Sequence, residues 1–229
     1  MVSVLVPVYN TKREWLEECF NSIYQQTYKD FEIVVVNDCS TNQDTLEFLE
    51  SIEDKENINI IDLEENCGLP VALNVGLSEC KYEYVARMDS DDIMLPYRLE
   101  KQMNYLLKNP KVDLLSAGVN YLTEDRQHWN ITNLIIHPPI ITREVAKYSD
   151  WFINHPTVIY KKSKILAIGG YNEKLRGFPE DFDLWIRMIK CNMVLHNLQE
   201  SLLLLRISSN TLSKTNNTID FFQNLRNTL

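Results

Sequence analysis

The stretch 85-VARMDSDDIMLP-96 sets three aspartates into four positions, directly behind an apolar run and ahead of a proline. Such a run is typical of a strand buried on both faces of a sheet, so Asp89, Asp91 and Asp92 are predicted to follow a buried strand. Adjacent carboxylates repel one another unless water or a cation separates them, and oxygen-rich clusters suit hard cations such as Mg²⁺. An ordinary acidic turn, with Asp92 capping the next helix, is the structural alternative.

Three apolar segments upstream have the same character, and segments of helical periodicity separate them. The predicted strands are VSVLVP at 2–7, FEIVVVND at 31–38, INIIDL at 58–63 and EYVARMD at 83–89, with helices over 12–26, 45–52 and 71–79 between them. This alternation predicts an α/β fold with a mostly parallel, Rossmann-like central sheet flanked by helices. Thr11 and Glu14 form a capping box for the first helix, and Leu46 is expected to face the core.

Polar residues directly follow three of these strands: Asn10, the pair Asn37 and Asp38, and the acidic cluster that begins at Asp89. Because the carboxyl ends of parallel strands share one edge of a sheet, these side chains are expected to converge where ligands bind in such folds. Asp38 is open to two interpretations, a turn residue or a carboxylate that accepts an N–H group from a nucleotide base.

The second half of the chain has a weaker pattern. The prediction is a helix over 97–109 with Leu107 in its apolar stripe, a strand at 112–119, loop or edge structure over 120–150, a short strand at 155–162, and helices over 163–173 and 182–190. The tail at 216–229 can form an amphipathic helix through Ile219, Phe222, Leu225 and Leu229, which is expected to dock on its own domain.

Glu180 and Asp181 lie at the predicted start of the last of these domain helices, where the helix dipole stabilises anions. Asp181 is therefore either a helix cap or a general base that accepts a proton from an attacking hydroxyl. His155 and Arg206 are weaker candidates, because an isolated histidine is more often a packed residue than a catalyst.

The bulk properties exclude several classes of function. A formal net charge of -9 argues against a nucleic-acid binder. No run approaches the ~20 apolar residues of a membrane helix, although peripheral membrane association stays open.

The chain begins at once with a strand-like segment, and its five cysteines are scattered without metal-ligand spacing, so a cytoplasmic protein with reduced thiols is expected. The oligomeric state is open.

Taken in order, seven segments resemble the family 2 inverting glycosyltransferases with a GT-A fold. They are VSVLVPVYN, FEIVVVNDCST, NCGLPVALNVGL, YVARMDSDD, NHPTVIYKK, GGYNE and EDFDLWIRM. The resemblance implies a single GT-A domain over 1–215, with a nucleotide-sugar-binding half at 1–92 and an acceptor-binding half at 93–215. It implies transfer of a sugar from a nucleotide-sugar donor, usually a UDP-sugar, to a hydroxyl of a glycan, lipid or protein acceptor.

The resemblance also implies roles for particular residues. Those expected beside the donor are Pro7, Tyr9, Asn10, Asp38, Asn66, Gly68, Ala72, Asn74, Arg87 and Asp89. Asp91 would ligate a Mn²⁺ or Mg²⁺ ion that bridges the donor phosphates. Asp181 would be the base that takes the proton of the acceptor hydroxyl as this hydroxyl attacks the anomeric carbon from the face opposite the diphosphate, which inverts that carbon. Glu180, His155 and Arg206 would lie in acceptor-side or supporting positions.

Two positions depart from the family pattern. Ser208 stands where many relatives have a histidine available to the metal, and Leu73 stands where an arginine is frequent. Arg87, Lys162 or Arg206 would then have to supply the missing phosphate contact.

Other classes of function are disfavoured by the absence of their motifs. A nucleotidyltransferase or a dehydrogenase needs a glycine-rich loop after the first strand, where VPVYNTKREW has no glycine. An Asp-based phosphatase needs separate lysine and threonine motifs that are not evident. The non-enzymatic alternative is a catalytically degenerate sugar-nucleotide-binding module.

Overall fold

One mixed sheet runs through the part of the chain that this computed structural model describes, residues 1–123, 136–149, 151–176, 179–207 and 219–229 without the side chains of 123 and 219–222. Its strands are β1 Val2–Val8, β2 Phe31–Asn37, β3 Ile58–Asp62, β4 Tyr84–Arg87, β5 Ile93–Met94, β6 Leu114–Thr123, β7 Ile140–Ile141, β8 Ile159–Lys161 and β9 Leu195–Ile207. The helices are α1 Arg13–Tyr24, α2 Gln43–Ile52, α3 Leu69–Glu79, α4 Arg98–Lys108, α5 Arg143–Tyr148, α6 Lys162–Ala167, α7 Glu180–Lys190 and α8 Ile219–Arg226, with a 3₁₀ turn at His155–Thr157.

The strand order is β3-β2-β1-β4-β8-β6-β9-β5, and β7 also pairs with β9. The strands β1 to β4 are mutually parallel, as predicted for the first half of the chain. The second half is mixed, because β8 runs antiparallel between β4 and β6 while β6 and β9 are parallel. The predicted α/β fold with one central sheet and flanking helices is confirmed.

Two apolar cores lie on the two faces of the sheet, and this explains the continuous apolar runs of the first strands. Alternate residues of β1 point to opposite faces, so Val4 and Val6 belong to one core and Leu5 to the other. In β2 the same alternation separates Val35 from Val34. A strand covered on both faces needs apolar residues at every position.

Gly76 allows α3 to lie unusually close to the sheet. A Cβ atom at this position would lie 2.2 Å from Leu5 Cδ1 and 2.8 Å from Val36 Cγ2, closer than real contacts permit. The glycine in the predicted helix therefore has a packing role, and it brings the start of α3 against the carboxyl edge of the sheet.

The predicted capping box at the start of α1 is wrong. The helix begins after Lys12, and no side chain caps it. The Thr11 hydroxyl instead lies 2.7 Å from the Ser90 hydroxyl, because tertiary structure brings the acidic turn within reach of the end of β1.

Two side chains predicted to face the core are exposed, Leu46 at 37% and Leu107 at 61%. On α4 the space is filled instead by Arg98 and Gln102, both fully buried. An apolar stripe counted from sequence could not include these two residues, because their polar groups are satisfied only by tertiary partners.

The C-terminal helix α8 packs on the domain, as predicted. Leu225 and Leu229 contact the core that also contains α7, and Arg226 Nη2 donates to the Ser149 carbonyl oxygen at 2.7 Å. The predicted contacts of Ile219 and Phe222 lie outside the described side chains. In the described part of the chain, every helix is too short or too polar to cross a bilayer.

Candidate active site

The carboxyl ends of β1, β2 and β4 meet at one edge of the sheet, as their parallel neighbouring arrangement requires. The Asn10 N–H group donates to Ser40 Oγ at 3.0 Å, which joins the ends of β1 and β2. The hydroxyl pair Thr11 and Ser90 joins β1 to the turn after β4. The predicted convergence of these three segments is confirmed.

Asn10 shapes the segment that follows β2. Its φ of 49° lies in the left-handed region, which asparagine tolerates. Its Oδ1 accepts the backbone N–H groups of Thr41 at 2.7 Å and Asn42 at 2.8 Å. Of its two neighbours in the predicted donor pocket, Pro7 is buried within β1 and Tyr9 is 49% exposed at the edge.

Asp38 is buried and holds the turn that precedes α3. Its Oδ1 accepts the Cys67 N–H at 2.7 Å, and its Oδ2 accepts the Gly68 N–H at 2.8 Å and Asn66 Nδ2 at 3.0 Å. Gly68 has φ 90°, where a side chain would strain the backbone. Since Oδ1 takes a single hydrogen bond within the described structure, it retains a lone pair that can accept the N–H of a base.

Arg176 is a residue of this edge that the sequence analysis missed. Its Nη2 donates to the Asn66 carbonyl oxygen at 2.6 Å and also contacts Asn66 Oδ1, 110 residues away in sequence. A Cβ at Gly68 would lie 2.9 Å from Arg176 Cγ. The guanidinium therefore covers the turn beside Asp38. It lies in a loop without any motif, so the sequence carried no signal for it.

Asn74 connects α3 to the turn before α7. Its Nδ2 donates to the Tyr171 carbonyl oxygen at 2.9 Å and to Glu173 Oε1 at 2.9 Å, while its Oδ1 accepts the Tyr171 N–H at 2.8 Å. Gly170 has φ 69°, and a Cβ there would lie 2.4 Å from Asn74 Oδ1. Asn74, which is predicted to lie beside the donor, therefore also holds the turn that carries Tyr171 and Glu173 against α3.

Arg87 and Asp89 form a two-point ion pair at the end of β4. Nη1 donates to Oδ2 at 2.5 Å and Nη2 pairs with Oδ1. Burial acts to lower the pKa of Arg87, but the adjacent Asp89 carboxylate outweighs it and the pKa is raised. Such bidentate pairs are strong and directional. Both predicted donor-binding residues are therefore locked to each other.

The other two aspartates of the turn have different surroundings. Asp92 is buried, and its Oδ1 accepts the Arg206 backbone N–H at 2.8 Å. It does not cap a helix, because α4 starts only at Arg98. The Asp91 carboxylate receives no hydrogen bond from any described side chain, and burial together with Asp89 raises its pKa to about 6. Asp91 is therefore the carboxylate available for a ligand.

Arg206 reaches the acidic turn from the end of β9 and is buried there. Its Nε donates to the Asp91 carbonyl oxygen at 2.7 Å, and its Nη2 pairs with Glu18 Oε2 at 2.5 Å. Its guanidinium also lies 5.1 Å from the centre of the Trp15 ring. Arg206 thus fixes the backbone that presents Asp91, which is a supporting position.

The acidic turn fits a divalent cation that arrives together with a substrate. In the described ranges, no group of three or more His, Cys, Asp or Glu side chains is arranged to hold a metal ion. Mg²⁺ often binds through one or two carboxylates, with substrate phosphates and waters completing its shell. One available carboxylate, Asp91, meets that need. Ser208 lies outside the described residues.

Glu180 and Asp181 begin α7, and both are buried beside His155. The Nδ1 atom of His155 lies 3.8 Å from Glu180 Oε1 and 3.8 Å from Asp181 Oδ2, and its Nε2 is 2.9 Å from the Tyr171 hydroxyl. Asp181 Oδ1 accepts the N–H of Phe182 at 2.7 Å. The predicted base Asp181 and two of the groups predicted to support it, Glu180 and His155, therefore form one cluster.

The buried cluster has a distinct protonation pattern. Burial, and then the Asp181 charge, raise the pKa of Glu180 to about 8, and burial raises that of Asp181 to about 6. Burial and the Arg87 charge lower the pKa of His155 well below its ordinary value. Burial therefore favours the protonated form of Glu180 and the neutral form of His155, and Asp181 is the more acidic of the two carboxyl groups.

Arg87 links the acidic turn to this cluster. Its positive charge lowers the pKa of Asp91 and also of Glu180 and Asp181. The Arg87 N–H also donates to the Val158 carbonyl oxygen at 3.0 Å, so the end of β4 lies beside the 3₁₀ turn that carries His155. The two regions are therefore neighbours in the structure.

Two expectations about phosphate-binding cations do not hold. Lys162 Nζ donates to the carbonyl oxygen of Cys80, at the far end of α3 from Gly68, so Lys162 lies away from the site. Leu73 is fully buried in the core between α3 and the sheet, so its side chain does not face the site. Arg176 is the cation that the fold brings to this part of the edge.

Comparison with known proteins identifies the family. The family model of glycosyl transferase family 2 matches residues 3–167. The chain belongs to glycosyl transferase family 2. The amylovoran biosynthesis glycosyltransferase AmsE of Erwinia amylovora is 35% identical, over 93% of this chain and 79% of its own length. An Escherichia coli protein, UDP-Gal:alpha-D-GlcNAc-diphosphoundecaprenol beta-1,3-galactosyltransferase, is 32% identical over 91% and 75%. This family 2 protein is a glycosyltransferase.

The fold agrees with that of a solved structure. S. aureus TarS 1-349 in complex with UDP superposes with a TM-score of 0.71 at 25% identity, covering 90% of this chain and 60% of TarS 1-349. The chain thus spans about 60% of the length of that structure. The predicted GT-A architecture is confirmed.

Proposed function

We propose that this glycosyltransferase is metal-dependent and inverting, and that it transfers a sugar from a UDP-sugar to a hydroxyl group of a glycan. The observation that carries the proposal is the pairing of two unlike acidic regions in one site. Asp91 is available at a turn braced by Arg87 and Arg206, and an ionised Asp181 is buried nearby. A cation site beside a general base is what transfer from a nucleotide-sugar requires.

The donor class rests on two similar proteins. The E. coli relative is named as a UDP-Gal-dependent galactosyltransferase, and the TarS structure holds UDP. In this chain, Asp38 Oδ1 is the candidate acceptor for the base N–H, and Asn66, Gly68 and Arg176 border it. A pyrimidine such as uracil offers a single ring N–H, which matches one free lone pair.

The transfer step assigns a task to each acidic region. The acceptor oxygen forms a bond to the anomeric carbon while the bond from that carbon to the diphosphate oxygen breaks, and the hydroxyl proton passes to Asp181. Asp91 would hold a Mn²⁺ or Mg²⁺ ion, which when bound supplies positive charge to the departing diphosphate. Glu180 remains protonated and His155 neutral, so neither competes for that proton at pH 7.

The acceptor and the cellular setting are also part of the proposal. AmsE is named for amylovoran biosynthesis, which supports a glycan acceptor bound by residues 93–215, with the donor on 1–92. A cytoplasmic location is supported by the five cysteines, all of which are free thiols in the structure.

The proposal is tested first by nucleotide binding. We would measure thermal stabilisation of the wild type and of Asp91→Asn by UDP, GDP, CDP and ADP, each with and without Mn²⁺. Stabilisation by UDP that needs both Mn²⁺ and Asp91 is expected, since a ligand that binds only the folded state stabilises it more as its Kd falls. A response to another nucleotide would reject the UDP assignment, and a response independent of Mn²⁺ would reject the metal role.

A further inference from the structure

Arg98 is a fully buried arginine without an ion pair to any described carboxylate. Its Nη2 donates to the Arg87 carbonyl oxygen at 2.8 Å, its Nε donates to Gln102 Oε1 at 3.0 Å, and its Nη1 lies 3.4 Å from Met88 Sδ. Burial, and then the charge of Arg87, lower its pKa to about 9. Burying a cation without a partner charge is costly, and an apolar residue of similar volume is often equally stable.

Gln102 continues the hydrogen-bonded path from Arg98 across the interior. It follows Arg98 by one turn of α4 and is also fully buried. Its Nε2 donates to the Thr157 carbonyl oxygen at 2.8 Å and to that of Leu115 at 3.2 Å. The two side chains therefore connect the backbone that carries Arg87 and Asp89 with the 3₁₀ turn.

The 3₁₀ turn carries the acceptor-side histidine. Thr157 closes the turn, and its Oγ1 accepts the Ala117 N–H at 2.9 Å and donates to the Asn154 carbonyl oxygen at 2.8 Å. His155 lies at the start of the same turn and faces Glu180 and Asp181. A displacement of Thr157 would therefore move His155 relative to both carboxylates.

We propose that Arg98 and Gln102 are positioning residues that hold the donor edge and the acceptor-side turn at a fixed separation. The inference rests on the proposed function, because a transferase must hold an acceptor hydroxyl in line with a donor carbon bound by the other region. Misplacement by about 1 Å can cost about 100-fold in rate. Hydrogen bonds from a rigid guanidinium and a carboxamide specify such a separation, whereas apolar packing of the same volume does not.

The test compares Gln102→Met with Gln26→Met. Gln26 is a matched control, since it is fully buried, donates to the carbonyl oxygens of Leu95 and Ser22, and accepts the Leu99 N–H of α4. We expect Gln102→Met to lower kcat about tenfold while the donor KM and the Kd for UDP with Mn²⁺ stay within about twofold. Gln26→Met should leave kcat within about twofold. Equal kcat in the two variants would overturn the proposal.

Two further measurements keep the test decisive. If Gln102→Met does not fold, Arg98→Lys is used, since lysine keeps the cation but cannot reach both Arg87 and Gln102. Full retention of kcat in Arg98→Lys would then reject the inference.

If the wild type has no transfer activity, the proposed function fails, and amide hydrogen exchange decides the positioning role separately. Exchange at Ala117 and Thr157 should be faster in Gln102→Met than in Gln26→Met, and equal exchange would count against the role.

Discussion

The acidic turn after β4 is half-buried at Asp89 and Asp91, whereas the carboxylate pair at the start of α7 is buried, and the groups in contact with them also differ. The turn is braced by arginines, with Arg87 on Asp89 and Arg206 on the backbone of Asp91. The pair at α7 has a neutral histidine as its neighbour. Burial raises the pKa of both Asp91 and Asp181 to about 6, so the two aspartates differ in the groups they contact rather than in their acidity.

The difference explains how one site can offer a cation ligand and a base. In the acidic turn, Arg87 neutralises Asp89, and the neighbouring Asp91 carboxylate remains able to bind a cation. Where no cation is in contact, burial raises the pKa of Asp181 to about 6, close to the pH at which a base works well. The four predictions below each change one side of this comparison.

Asp181→Asn should have the largest effect. The variant keeps the shape of the side chain but removes the proton acceptor, so transfer should fall about 10³-fold while the Kd for UDP with Mn²⁺ is unchanged. Asp183→Asn, on the same helix and paired with Arg187, is the control and should alter transfer only a few-fold. Substantial transfer by Asp181→Asn in steady-state assays would assign the base elsewhere.

Asp91→Asn should act on binding. Removing the available carboxylate should raise the Kd for UDP with Mn²⁺ about 30-fold, to the value measured without the metal. Calorimetric titration with and without Mn²⁺ measures this. The control is Asp44→Asn, an exposed position in the first turn of α2, where no change is expected. Metal-enhanced binding that survives in Asp91→Asn would contradict the assignment.

Glu180→Gln should change how stability depends on pH. The folded pKa of Glu180 is raised to about 8, so its stabilising contribution is present below the ordinary carboxyl pKa and is lost as the pH rises through about 8. From pH 5 to pH 9 the free energy of unfolding of the wild type should therefore fall by about 4 kcal/mol more than that of Glu180→Gln. Urea titrations across this range measure the difference. Exposed Glu79→Gln is the control, and parallel curves for wild type and Glu180→Gln would refute the prediction.

Glu18→Gln should have the smallest effect. Glu18 pairs with Arg206 but its side chain is 34% exposed, so solvent screens the pair and the loss of stability should be about 0.5 kcal/mol. Arg206 keeps its bond to the Asp91 carbonyl oxygen, so UDP binding with Mn²⁺ should change less than about twofold. Thermal unfolding and the same titration measure both quantities. A loss of binding as large as that of Asp91→Asn would mean that Glu18 orients the turn.

The local sequence pattern predicted more of the donor side than of the acceptor side. The strands β1 to β4 and the polar residues behind them follow from apolar runs and from chain order in parallel sheets. The strand β5 and the extent of β9 were not predicted, although β9 delivers Arg206. A two-residue strand has no periodicity. The alternation of apolar and polar residues in β9 is poor because the strands that pair with β9 change along its length.

The sequence by itself determined that the fold is α/β and that Asn10, Asp38 and the Asp89 to Asp92 cluster share one edge, because strand periodicity and parallel order require it. Only the tertiary structure decided which cations reach this edge. The Arg206 guanidinium donates to the Asp91 carbonyl oxygen across 115 residues, and the Arg176 guanidinium donates to the Asn66 carbonyl oxygen across 110. Contacts at such separations depend on the order of strands in the sheet and on loop paths, and neither is encoded in a local pattern of residues.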